Sequence, residues 1–136
     1  MTRAFFGGWS VSEPATEVMR QTDLLWFSGD DVLNLAHLTQ GATGVVSVVG
    51  HVAGDLYAEM VASVDKGDLP RAIELHRQVV PAVKAIMTVT QGAIMAKAAL
   101  RELGVIDSAA VRLPLIEATP DQIAQLRDGL SQSGLH

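Results

Sequence analysis

Two stretches decide the fold: Asp23-Leu24-Leu25-Trp26-Phe27-Ser28-Gly29-Asp30-Asp31 and Thr43-Gly44-Val45-Val46-Ser47-Val48-Val49-Gly50. The first is a short continuous apolar run ended by turn residues, and the second is rich in β-branched residues between glycines. Neither alternates apolar with polar, so each is read as a strand buried on both faces, over 24–27 and 44–49. Between them Val32, Leu35, Ala36 and Leu38 give a helix over 31–40 an apolar side. Asp30 or Asp31 is expected to cap that helix, and Gly41 to stop it. Two all-apolar strands joined by a helix make a right-handed βαβ unit of a parallel sheet.

On the C-terminal side the pattern turns helical. Asp55 is expected to cap a helix bearing Leu56, Met60, Val61 and Val64, with Gly67 just past its end. Asp68 then caps a second, with Pro70 in its first turn and Pro81 inside, where a kink or a split is expected. A third runs over 91–103 and ends at Gly104. The segment 111–115 reads as extended, because the residue before Pro114 avoids the helical region. Thr119-Pro120-Asp121-Gln122 combines an N-cap Thr, Pro at N1 and Gln at N3, which predicts a capping box opening a last helix with Ile123, Leu126 and Leu130 on one side. On the N-terminal side, residues 1–20 show no clear period and are read as irregular, weakly helical from Glu13, with Phe5, Phe6 and Trp9 stranded. The domain reading is 1–20 irregular, 21–66 a βαβα unit, and 67–136 helical, with no further strand in the chain.

The 136 residues are 49% hydrophobic and 18% charged, with a formal net charge of -5, which excludes a disordered chain and gives no basic footprint for nucleic acid or an anionic membrane. Cysteine is absent, which excludes disulfides, cysteine-ligated metals and cysteine nucleophiles. No apolar run approaches the roughly 20 residues of a membrane span, and no targeting signal is read, so a soluble cytoplasmic protein is expected.

In a parallel α/β protein the loops after the strand ends build the site, which directs attention to 28–31 and to Gly50-His51. As metal ligands, Asp30, Asp31 and His51 lack a partner at a diagnostic spacing. Ser47 lacks the nucleophile-elbow sequence, and His37 and His76 fit packing or surface roles. The three lysines, Lys66, Lys84 and Lys97, sit at a helix end or within helices, away from any strand-end pocket that would desolvate an amine into a nucleophile.

The segments 21–31 and 41–48, together with Lys97-Ala98-Ala99-Leu100-Arg101-Glu102-Leu103-Gly104 and Val111-Arg112-Leu113-Pro114-Leu115, resemble, in order and spacing, the C-terminal part of the 4-hydroxy-tetrahydrodipicolinate (dihydrodipicolinate) synthase family. The resemblance runs from about residue 18 to the end. It implies a partial (β/α)8 barrel, the last two strands and their helices, with a C-terminal helical extension. It also implies a lyase of lysine biosynthesis that condenses pyruvate with aspartate semialdehyde through a lysine Schiff base. Carried over by position, Val46 matches the residue whose backbone lies against bound pyruvate, and Gly29 and Asp30 match the strand end lining the cavity. The family's Schiff-base lysine lies upstream of anything alignable, so no catalytic residue is carried over and no cofactor is implied. The expectation is a fragment or truncated paralogue, inactive alone, with a pyruvate-type small molecule as ligand. The alternative is a non-catalytic module that pairs with itself or with a full-length synthase. Two strands without closure leave unpaired edges, so the chain is expected to associate.

Overall fold

The computed structural model describes residues 4–7 and 12–136. Helices dominate. The order is β1 (Ala4–Gly7), α1 (Ser12–Gln21), β2 (Leu25–Ser28), α2 (Asn34–Thr39), β3 (Gly44–Val45), then α3 (Gly50–Asp65), α4 (Leu69–Met87), α5 (Gly92–Glu102) and α6 (Pro120–Gln132).

The two strands read from the sequence are adjacent and parallel, with Phe27 opposite Gly44 and Ser28 opposite Val45. Gly44 packs closely there: a Cβ would lie 3.3 Å from the Phe27 ring, a contact to which the ring would have to give way. The sheet also has a third strand, which corrects the expectation of an irregular start: β1 pairs parallel with the other edge of β2, from Ala4 opposite Leu25 to Gly7 opposite Ser28. A four-residue strand beside a glycine pair has no period to announce it, so its pairing is a tertiary event. The side chains of Phe5, Phe6 and Trp9 lie outside the described residues.

β3 is shorter than expected. The Val46 amide still donates to the Ser28 carbonyl at 2.7 Å, but the Val48 and Val49 carbonyls accept from His51 and Val52, so this β-branched run turns into the start of α3. α3 is two helical pieces joined across a kink at Ala53 (φ -120°, ψ 28°), a short one from Gly50 and a longer one that runs to Asp65, and Asp55 lies in the first turn of the longer piece, two residues past the kink. α2 is capped by neither aspartate; Leu33 occupies its N-cap position without a side-chain bond. Asp68 does accept from the Arg71 amide, at 3.1 Å, and Gly67 adopts φ +76° beyond α3.

The chain divides into two compact units, Met1–Ser47 with Asp55–His76, and Val48–Gly54 with Arg77–His136. In the first, Trp26 and Ser28 alternate onto the sheet face covered by α2, where the Trp26 and His37 rings lie 4.9 Å apart. Leu25, on the opposite face, stays 40% exposed. Met60 and Leu75 are fully buried in this unit.

In the second unit, Pro81 does not split α4, which continues to Met87. The amide following that proline, Ala82 N–H, donates to Ser133 Oγ at 3.0 Å, and Gln78 Nε2 donates to the Ser133 carbonyl at 3.2 Å. The C-terminal end of α6 is thereby stitched to α4. At the N-terminal end of α6 the capping box forms as the sequence predicts, with the Gln122 amide donating to Thr119 Oγ1 and Gln122 Oε1 accepting from the Thr119 amide. Arg112 to Leu115 closes as a turn and is not extended, the Leu115 amide donating to the Arg112 carbonyl at 3.0 Å.

Gly129 marks the close approach of α6 to α4: a Cβ there would lie 2.5 Å from the Ala85 Cβ and 2.8 Å from the Pro81 carbonyl oxygen. Alanine ordinarily favours a helix over glycine by about 1 kcal/mol. Here the steric overlap wins, and Gly129→Ala is expected to cost about 1–3 kcal/mol. A thermal melt followed by circular dichroism should show a midpoint several degrees lower; an unchanged or raised midpoint would contradict this packing.

Candidate functional site

Because Ser28 and Val45 are register partners, the residues that follow them emerge side by side at the C-terminal end of the parallel pair. The structure thus brings Gly29, Asp30 and Val46 to one end of one sheet. Gly29 is exposed, Asp30 is half-buried and Val46 is 53% exposed. The Val46 amide is committed to the Ser28 carbonyl, which ties the two loops together through the backbone.

The two aspartates differ in what they hold. Asp30 Oδ1 accepts from the Val32 amide at 3.0 Å, a bond within its own turn. Asp31 is buried, and its Oδ1 accepts from Asn34 Nδ2 at 3.2 Å and from the Ser47 hydroxyl. On the α2 side of the same strand end, the Ser28 hydroxyl and His37 Nδ1 share a hydrogen bond of 2.9 Å, both residues being buried. His37, read from the sequence as a packing or surface residue, is buried here and not at the surface.

Sequence reasoning missed Asn34, Tyr57 and the partnership of Asp31 with Ser47. The helical spacing of Asn34 to Asp31 was available as a signal, since residues three apart share a helical face. Ser47 lies 16 positions from Asp31, and nothing local links the two. Tyr57, from α3, is buried against this group, and burial first, then the Asp31 carboxylate, push its phenol well above the usual tyrosine range.

His51 occupies the first turn of α3, exposed and in the second unit. Lys66 lies just past α3, exposed, as is Lys84 on α4; Lys97 on α5 donates to the Ala110 carbonyl. Among the described residues no three His, Asp or Glu side chains converge on a point that would hold a metal ion.

Tyr57 is the chain's one tyrosine, which makes its titration readable. A phenol whose pKa rises on folding contributes stability that is complete below its unfolded value, about 10, and is lost as pH climbs beyond it. Absorbance at 295 nm is therefore expected to stay flat through pH 10 and to rise together with loss of helical signal. Tyr57→Phe should blunt that alkaline loss. Ionisation near pH 10 with the fold intact would refute the environment described.

Residues 12–133 match the model of the dihydrodipicolinate synthetase family. The chain is 52% identical over 118 residues to the 4-hydroxy-tetrahydrodipicolinate synthase of Kineococcus radiotolerans, covering 87% of this chain and 38% of that protein. It superimposes on the dihydrodipicolinate synthase of Aquifex aeolicus with a TM-score of 0.90 at 28% identity, over 98% of this chain and 45% of the other. It also superimposes on the lysine-bound enzyme of Cyanidioschyzon merolae with a TM-score of 0.88 at 34% identity, over 98% and 45%. The chain thus spans less than half the length of these relatives, and the family match starts at Ser12, some residues before the resemblance becomes legible in the sequence. On the family match over nearly its whole length, this chain belongs to the dihydrodipicolinate synthetase family.

Proposed function

We propose that this chain is the C-terminal part of a (β/α)8 synthase barrel that condenses pyruvate with aspartate semialdehyde in the cytoplasm, and that it does not carry out the condensation alone. In this reading the loop 28–31 and Val46 form one wall of the keto-acid cavity, with Gly29 and the Val46 backbone against the substrate and Asp30 at the rim. The observation that carries it is the parallel pairing of β2 with β3, which sets these residues at one strand end in a chain 52% identical to a named synthase.

A Schiff base forms when an unprotonated lysine amine adds to the keto carbon and water leaves, and this requires an amine desolvated beside the bound substrate. Lys66 and Lys84 are exposed, and Lys97 is engaged with a backbone carbonyl. Sodium borohydride added with pyruvate is expected to leave the mass of the chain unchanged, whereas a stoichiometric pyruvyl adduct on any of the three would refute inactivity. Joining this chain to the upstream remainder of the Kineococcus synthase should yield an active enzyme that traps pyruvate; an inactive but folded hybrid would refute the cavity assignment.

A second reading, a non-catalytic module that associates with itself or with a full-length synthase, is favoured by the exposed Leu25 and Val46 at the sheet. Parallel sheets are ordinarily covered on both faces, and association would bury this one. Light scattering over a concentration series is expected to give a mass above the 14.4 kDa of one chain. A constant monomer that binds no apolar dye would exclude it.

A further inference from the structure

A buried carboxylate costs several kcal/mol unless donors hold its oxygens. Asp31, 4% exposed, has among its partners two donors from different parts of the first unit. Asn34 Nδ2 comes from α2, the helix behind the loop that follows β2, and the Ser47 hydroxyl comes from the segment that follows β3. One oxygen thus joins the two strand-end segments that hold Gly29 and Val46. Asp30, its neighbour, has an oxygen bonded within its own turn and bridges nothing.

The backbone alone holds these segments by the Val46 amide on the Ser28 carbonyl, at the margin of a strand only two residues long. So short a strand fixes little by itself. Ser47 is the residue after Val46, so a bond from its side chain to Asp31 in the other loop gives the Val46 peptide a second restraint. Tyr57, from α3, is buried against the same group.

We propose that Asp31, acting through the hydroxyl of Ser47, is the positioning residue of the candidate site: it holds the Val46 backbone in place beside Gly29. Asp31 touches no substrate in this scheme; it sets the geometry of the residues that do. The inference rests on the synthase reading for the identity of the ligand, a small keto acid, but the clamp itself is a property of the free chain.

Amide hydrogen exchange measured by NMR on the whole 136-residue chain, without ligand, tests it. In Ser47→Ala the exchange of the Val46 amide should accelerate about tenfold, the worth of one buried hydrogen bond to a charged acceptor. The Leu126 amide in α6 should keep its rate. Asp31→Ala should act in the same way, while Asp31→Asn, whose remaining carbonyl oxygen still accepts from Ser47, should restore most of the protection. Unchanged Val46 exchange in Ser47→Ala overturns the proposal. So does equal acceleration of Val46 and Leu126 in all three variants, which would make Asp31 a support of the fold and nothing more specific. If Asp31→Ala does not fold, Ser47→Ala decides, since it removes a single hydroxyl and leaves the carboxylate its other partners, Asn34 among them. Because no substrate enters the measurement, its failure leaves the synthase reading intact, and failure of the hybrid enzyme leaves the clamp intact.

Discussion

The parallel pairing of β2 with β3 is the constraint on which the rest depends. With Phe27 set opposite Gly44 and Ser28 opposite Val45, both strands end at the same level, and the loops that follow have no choice but to meet. Gly44 leaves room for the Phe27 ring in this pairing, and the amides of Thr43 and Val46 close it on the carbonyls of Trp26 and Ser28. A shift of one residue would turn Ser28 and Trp26 away from α2, breaking the bond to His37 and exposing an indole.

The first unit is built with an uneven distribution of polarity. Ser28, Asp31, Asn34 and His37 are all buried, at or near the strand end on the α2 side, and the bonds among them join neighbours in pairs. Apolar groups remain open elsewhere: Leu25 on the other face of β2, and Val46 at the strand end. In a protein whose apolar surface had been fully used, the opposite arrangement would be cheaper, with the aliphatic side chains inside and the polar ones in water.

The second unit follows a different logic. Its helices are held by close packing at Gly129 and by the Ser133 hydroxyl and carbonyl, which accept from α4 on either side of Pro81. A proline inside a helix removes a donor and crowds the preceding turn, so a neighbouring side chain that accepts the next amide suits this position.

What could be read from the sequence were features whose cause is local. The apolar run at 24–27, which forms a strand one residue later at Leu25–Ser28, the glycines at 41, 67 and 104 with their positive φ, and the Thr119–Gln122 capping box each depend on neighbours a few residues away. The ordered segments shared with one family were likewise legible, because they are primary structure. The tertiary structure decided what depends on contacts between residues distant in the chain. It made a strand of 4–7 by laying that stretch along β2, and it ended β3 at Val45 by drawing the Val48 and Val49 carbonyls into the first turn of α3. It also gave the two adjacent aspartates different partners: Asp30 keeps a bond within its own turn, whereas Asp31 is turned inward to meet a hydroxyl 16 residues away, and a pairing across that separation is set by strand register, which no local pattern encodes.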